Sequence, residues 1–125
     1  MKYSVDKQDK YLLIQLNETK VDSTVSPQLK SDFVTLNAEG NKNIILDMSQ
    51  VKYIDSSGLS AILVGNRIAS DSDGIFILTG ITDHVMKLIK ISQLDTVLDI
   101  MPTVQEAVDA VYLNELGNNL DQEEN

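Results

Sequence analysis

The sequence predicts an α/β domain with a small mixed, mostly parallel sheet of five strands and about four helices. The chain has 125 residues, of which 42% are hydrophobic and 23% charged, and this suits one domain with a buried core. After two initial strand-like segments, short apolar segments alternate with segments of helical spacing, in the order ββαβαβαβα. Such alternation implies right-handed crossovers and a mostly parallel sheet.

The first two strands are predicted to form a hairpin. They cover residues 3–5 and 11–16, and the polar residues 7–10 between them have the length of a hairpin loop. The second segment is apolar on both of its faces. We therefore expect it in the interior of the sheet.

The first helix is predicted to follow the polar loop 17–24. Ser26 and Pro27 are typical of a helix start, with the serine as N-cap and the proline in the first turn. Thr24 is the alternative cap, because the proline would still fall in the first turn. One apolar stripe with spacing i, i+4 and i+7 follows: Leu29, Phe33 and Leu36.

The next strands, residues 43–47 and 75–80, are apolar enough to be central strands. The helix between them is predicted from Ser56 to about residue 69 and is apolar around more than half of its circumference. Either it is sandwiched in the core or it has a second apolar strip for a partner, and the two explanations do not exclude each other. Thr82 is the predicted cap of a third helix, and residues 97–100 the last short strand.

The final helix is predicted to start with a capping box and to end at Gly117. Thr103 is followed three residues later by Glu106, and an apolar stripe runs through the helix that they begin. We expect the domain to cover residues 1–117. Residues 118–125 are polar and acidic and are expected to form a flexible C-terminal tail.

Charge and composition argue against several classes of partner. Ten basic and nineteen acidic residues give a net charge of −9, which disfavours nucleic acid and anionic membrane surfaces. No apolar run approaches the roughly 20 residues of a membrane span, and the first residues do not read as a signal peptide. The chain contains no cysteine, which suits a reducing cytoplasm. We therefore expect a cytoplasmic protein without membrane insertion, whose simplest ligand is another protein.

No arrangement of residues indicates an enzyme. His84 is the only histidine and is predicted to be exposed on the first turn of a helix, so a Ser-His-Asp triad or a histidine metal site is not supported. A phosphate-binding GxxxxGK loop is absent from the sequence. Asp47 and Thr79 would suit a two-component receiver domain, but the acidic pair and the lysine that a receiver needs are missing. We expect no catalytic activity, no cofactor and no metal site.

The most informative segment is residues 51–64. Here Asp55, Ser56, Ser57 and Gly58 lead from a short connection into the second helix. Asp and Ser side chains accept hydrogen bonds from the free amides of a first helical turn. Because the positive end of the helix dipole lies at the same place, an added phosphate would be well tolerated there.

Residues 44–47 and 51–59 resemble the signature of the STAS domain, and more narrowly the stand-alone anti-sigma factor antagonists of bacteria. In that family the serine directly after the aspartate is phosphorylated by the partner anti-sigma factor, which is itself a kinase. By position this serine is Ser56. The resemblance implies a protein that binds an anti-sigma factor serine kinase while Ser56 is unphosphorylated and that a serine phosphatase resets.

The partner-binding residues that this resemblance and the segment around Ser56 suggest are Asp22, Asp55, Ser56, Ser57, Gly58 and Leu59. Ser57 is interpreted as support for the first turn. Gly58 either lets a kinase approach closely or serves the geometry of the helix start. Asp47 is expected to hydrogen-bond local backbone.

The chain departs from the family pattern at two places, and these departures bear on which partner it binds. Asn17 stands where a glycine is usual, and residues 92–94 read Ser-Gln-Leu instead of Ser-Gly-Leu.

The alternative function is that of a STAS scaffold subunit of a lipid or anion transport complex, which is not phosphorylated.

Overall fold

The strands and helices alternate along the chain as the sequence predicts, with two additional short strands. The computed structural model describes the backbone of residues 2–124 and the side chains of residues 2–117. The strands are β1 (Tyr3–Lys7), β2 (Leu12–Leu16), β3 (Lys20–Val21), β4 (Ile44–Asp47), β5 (Tyr53–Ile54), β6 (Phe76–Thr79) and β7 (Asp99–Met101). The helices are α1 (Ser26–Ala38), α2 (Ser56–Asp71), α3 (Asp83–Ile91) and α4 (Val104–Glu124), with a 3-10 turn at Leu94–Thr96.

The main sheet has five strands in the order β1-β2-β4-β6-β7. Strand β1 is antiparallel to β2, and all other neighbours are parallel. The predicted hairpin and mostly parallel sheet are therefore confirmed, and β2 lies in the interior as expected. The edges are β1, whose side chains after Tyr3 are exposed, and the three-residue β7.

Strands β3 and β5 form a second, two-stranded parallel sheet that the sequence did not predict. Lys20 pairs with Tyr53 and Val21 with Ile54. Strands of two residues are too short to show an alternating pattern, so the loop after β2 and the connection after β4 read as irregular. The pairing ties these two segments together directly before α1 and α2.

The core has a larger part on the face of the sheet that carries α1, α2 and α3, and a smaller part under α4. In the smaller part Ile45 and Ile77 pack with Ala107 and Val111. Helix α2 belongs to the larger part, with Leu59 and five further residues buried. The broad apolar surface of α2 therefore serves the core, which is the first of the two predicted alternatives.

Gly65 in α2 sits where two aromatic rings meet. Phe33 of α1 and Phe76 of β6 contact edge to face, with ring centroids 5.3 Å apart and planes at 87°. A β-carbon at Gly65 would lie 2.6 Å from Cε2 of Phe76 and 2.9 Å from Cδ2 of Phe33. The glycine thus allows α2 to approach both α1 and the sheet closely.

The predicted start of α1 was wrong in its capping residue. Val25 occupies the N-cap position, and neither Ser26 nor Thr24 supplies a capping side chain. The Ser26 amide instead donates to the carbonyl oxygen of Asp22 over 2.8 Å, while the Thr24 hydroxyl donates to the Asp22 carboxylate. The turn at Asp22 therefore satisfies the first backbone amide of the helix in place of a capping side chain.

The last strand lies two residues later than predicted. Residues 94–96 form a 3-10 turn after Gln93, which has a left-handed φ of 60°. Strand β7 therefore begins at Asp99 rather than at residue 97.

Helix α4 begins as predicted but ends later. The Glu106 amide donates to the Thr103 hydroxyl over 3.2 Å, as in a capping box. The helix does not stop at Gly117 but continues to Glu124. An isolated glycine costs a helix only about 1 kcal/mol relative to alanine, and the following residues contain no proline. That residues 118–125 are flexible stays a prediction.

We predict opposite effects of alanine at two glycines. Gly65→Ala should lower the free energy of unfolding by roughly 1–3 kcal/mol, because the methyl group overpacks against Phe33 and Phe76. Gly117→Ala should raise it by about 0.5–1 kcal/mol, because alanine is the better helix former and nothing lies within 4 Å of the new methyl group. Urea denaturation measures both values. Equal effects of the two variants would contradict the packing at Gly65.

Candidate functional site

The small β3–β5 sheet brings Asp22 and Asp55 to the same place. Val21 and Ile54 are partners in this sheet, and each is followed directly by one of the two aspartates. The Asp55 amide also donates to the Val21 carbonyl oxygen over 3.4 Å. Two carboxylates that are 33 positions apart in the sequence therefore flank the start of α2 together.

Asp55 caps α2, as the sequence predicts. Its backbone is extended, and its Oδ1 accepts a hydrogen bond from the Gly58 amide over 3.0 Å. The same oxygen accepts a bond of 2.6 Å from the Ser57 hydroxyl. The carboxylate thus fixes the first turn of the helix by two contacts.

The two serines of this turn differ in their surroundings. Ser57 is half-buried, and its hydroxyl is engaged by Asp55. Ser56 is the first residue of α2, and its side chain is exposed. A second protein can therefore reach the Ser56 hydroxyl without disturbing the hydrogen bonds that hold the turn.

Gly58 and Leu59 serve the interior of the domain. A β-carbon at Gly58 would lie 2.2 Å from the Val21 carbonyl oxygen and 2.6 Å from Cγ1 of Ile54. Leu59 is 8% exposed and belongs to the larger core cluster. Of the six predicted partner-binding residues, these two expose the least surface to a partner. Packing within the domain is sufficient to explain why residue 58 is glycine.

Asp22 is held by a turn of its own. Its Oδ1 accepts hydrogen bonds from the Thr24 hydroxyl and, over 3.0 Å, from the Thr24 amide. These two bonds lower the pKa of Asp22, while desolvation and the nearby Asp55 charge act in the opposite direction. The pKa of Asp55 is lowered mainly by the Ser57 hydroxyl and next by the Gly58 amide. Both carboxylates are therefore charged at neutral pH.

Asp47 accepts a hydrogen bond from local backbone, as expected, and a second one from a side chain of the neighbouring strand β2. Its Oδ1 accepts from the Ser49 amide over 3.0 Å, and its Oδ2 from Nε2 of Gln15 over 3.5 Å.

Among the residues whose side chains are described, no group of three or more His, Cys, Asp or Glu is placed to hold a metal ion.

An aromatic pair beside the site was not predicted. Tyr53 in β5 is 44% exposed, and its ring stacks on that of His84, with centroids 6.2 Å apart and planes at 20°. His84 lies exposed on the first turn of α3, as the sequence predicted. Because β5 has no recognisable strand pattern, nothing in the sequence indicates that these two rings meet.

The family of the chain follows from its sequence as a whole. The model of the STAS domain matches residues 2–107, so the protein belongs to the STAS domain family. BtrV of Bordetella bronchiseptica, whose name assigns it provisionally as an anti-sigma factor antagonist, is 28% identical over 92 residues, which cover 74% of this chain and 78% of BtrV. The anti-sigma-B factor antagonist of Staphylococcus aureus is 22% identical over 93 residues, covering 74% of this chain and 85% of the relative.

Solved structures share the fold. A Thermotoga maritima protein, also assigned provisionally as an anti-sigma factor antagonist, has a TM-score of 0.78 at 25% identity, covering 88% of this chain and 94% of that one. Unphosphorylated SpoIIAA, an anti-sigma factor antagonist, has a TM-score of 0.69 at 21% identity, covering 89% and 98%. Phosphorylated SpoIIAA of Bacillus has a TM-score of 0.68 at 22% identity, covering 88% and 99%. At this identity, SpoIIAA shows the fold alone.

Helices of membrane-crossing length and apolarity are not found within residues 2–124.

We predict that Asp22 and Asp55 make the stability of the fold depend on pH below about 4. Because folding lowers both pKa values, each carboxylate stabilises the fold above its pKa in the unfolded chain, and this contribution is lost as the pH falls through the folded-state pKa. Asp55→Asn keeps a side chain that can cap the helix but removes the titrating group. Urea denaturation between pH 7 and pH 3 should show a smaller loss of stability for Asp55→Asn than for the unchanged protein.

The control for net charge is Asp9→Asn, which removes an exposed carboxylate from the β1–β2 hairpin. If Asp55→Asn and Asp9→Asn give the same pH dependence, the hydrogen bonds at the start of α2 are not its source.

Proposed function

We propose that the protein is an anti-sigma factor antagonist switched by phosphorylation of Ser56. Unphosphorylated, it binds an anti-sigma factor serine kinase and so frees a sigma factor; with phosphate on Ser56 it releases the kinase, and a serine phosphatase resets it. The observation that carries this proposal is the exposed hydroxyl at the first residue of α2, beside neighbours that are held by internal hydrogen bonds. The names of the relatives support the choice of partner.

The start of α2 suits a phosphoacceptor chemically. In the transfer, the Ser56 oxygen forms a bond to the γ-phosphorus of ATP, ADP leaves, and the hydroxyl proton passes to a base of the kinase. The new phosphate lies at the positive end of the dipole of a 16-residue helix. Because Asp55 caps the helix from the preceding residue, phosphate can be added without replacing any hydrogen bond of the first turn.

The same phosphate changes the docking surface strongly. It adds a charge of about −1.5 to −2 directly beside the carboxylates of Asp55 and Asp22. A kinase surface that faces the two carboxylates would then meet roughly twice the negative charge of those carboxylates alone. Otherwise it would have to desolvate an unpaired phosphate. A hundredfold loss of affinity needs only about 2.7 kcal/mol, so this local charge is sufficient for a switch.

Phosphorylation need not alter the fold for this switch to act. The phosphorylated and the unphosphorylated form of SpoIIAA both have the fold of this chain, with TM-scores of 0.68 and 0.69, which is compatible with this view. STAS proteins of this kind are generally binding modules without catalytic activity, and we propose the same here. Because sigma factors and ATP-dependent kinases act in the cytoplasm, the proposal places the protein there.

We predict that a cognate anti-sigma factor kinase with ATP adds one phosphate, which intact-mass spectrometry detects. Ser56→Ala should abolish the added mass. Ser57→Ala should still be modified, at a rate reduced only as far as the loss of the Ser57–Asp55 hydrogen bond disturbs the turn.

Retention of the phosphate in Ser56→Ala would disprove the assignment of the site. An unmodified protein with every cognate kinase would favour the alternative, a STAS scaffold subunit of a lipid or anion transport complex.

We also predict that Ser56→Asp folds normally but binds the anti-sigma factor kinase at least about tenfold more weakly than the unchanged protein does. The reason is that the variant places a third carboxylate at the docking surface. Calorimetric titration measures the affinity, and circular dichroism checks the fold. The matched control is Ser70→Asp, which adds the same charge at an exposed position near the other end of α2. Equal affinities of the two variants would contradict the proposed docking surface.

A further inference from the structure

The negative charge of the protein is concentrated in its last part. Residues 91–125 contain eight acidic residues and no lysine or arginine, whereas residues 1–90 contain eleven acidic and ten basic residues. The first ninety residues thus have a net charge of −1 and the last thirty-five a net charge of −8. Most of this segment is helix α4, which covers the face of the sheet opposite to α2.

Helix α4 also exposes apolar side chains on its outer side. Tyr112, Leu113 and Leu116 are 48%, 69% and 56% exposed, and we call these three residues the α4 patch. Leu116 lies three positions after Leu113 and four after Tyr112, so it is the helix-surface neighbour of both and joins them into one area. Ala107 and Val111, which are fully buried, face the sheet instead. The patch is therefore an apolar surface that the packing of this domain leaves about half to two thirds exposed.

The position of the patch leaves it accessible. A helix of 21 residues is about 31 Å long, whereas a strand of four residues such as β4 spans about 13 Å. Glu115 anchors α4 at the start of β4 through Asn43 Nδ2 at 2.7 Å and Lys42 Nζ at 3.4 Å. The Tyr112 ring rests edge-on against Tyr11, with centroids 6.5 Å apart. These contacts fix the helix while its outer face stays open.

The charged residues around the α4 patch indicate which kind of partner can bind there. Lys42 partly offsets Glu115, with Lys10 nearby, but Asp109 lies one turn before Leu113 on the same outer side. Three further acidic residues follow Gly117 in the sequence. A second copy of this chain would bring like charges together, which is unfavourable. A partner helix with an apolar stripe bordered by lysine or arginine would be complementary in both respects.

We propose that the α4 patch is a second docking surface, and that it binds a basic amphipathic helix of another protein. It lies on the other face of the sheet from Ser56, so both surfaces can be occupied at once. This inference does not rest on the proposed function, because none of its residues takes part in the Ser56 switch.

The test uses a synthetic peptide of about 18 residues built from leucine and lysine, with leucine at positions i, i+3, i+4 and i+7. It is titrated into the isotope-labelled full chain, and amide chemical shifts report where it binds. A peptide with the same residues in an order that breaks the apolar stripe is the control for charge alone. We expect shifts on the outer side of α4, and binding by the ordered peptide at least about tenfold tighter than by the disordered one.

The variant that tests the surface is Leu113→Gln with Leu116→Gln, which should weaken binding by about tenfold or more, since both side chains lose apolar contact. Val34→Gln is the matched control, because Val34 is a 54% exposed apolar residue on α1. Ser56→Asp should leave the affinity unchanged. Equal binding of both peptides, shifts away from α4, an unaffected double variant, or sedimentation showing a dimer that the double variant dissolves would each overturn the proposal.

Discussion

The approach of α2 to the backbone of β3 is the contact on which the site depends. It is possible only because residue 58 is glycine, since a β-carbon there would lie 2.2 Å from the Val21 carbonyl oxygen. A larger residue would push the start of α2 away from β3. Asp22 and Asp55 would then separate, and the exposed serine would lose its position beside them. A packing constraint within the chain thus shapes the surface that we propose for partner binding.

The sequence predicts those features whose cause is local. Asp55 caps α2 and Thr103 begins a capping box because each acts on a backbone amide three residues away. The central strands are recognisable because both of their faces are buried. The β3–β5 sheet, in contrast, arises from segments more than thirty positions apart, and its two-residue strands show no periodicity. The stacking of Tyr53 on His84 depends on that sheet and was missed with it.

The choice between the two serines shows what each kind of information supplies. From the residues alone, Ser56 and Ser57 are equivalent hydroxyls at a helix start, and only the family resemblance favoured the first. The structure adds a physical distinction, because one hydroxyl is engaged by Asp55 and the other is exposed. The end of α4 was mispredicted because a glycine is a common stop signal, but its small cost does not by itself end a helix whose following residues contain no proline.

The two edges of the main sheet have a consequence for how this protein meets others. Strand β1 presents charged side chains such as Asp6 and Lys7 along its free edge, and β7 offers only three residues for pairing. Short or charged edges discourage the addition of a foreign strand and the stacking of sheets into fibrils. Binding by addition of a strand is thereby disfavoured, and the helix faces and loops remain as the surfaces for recognition.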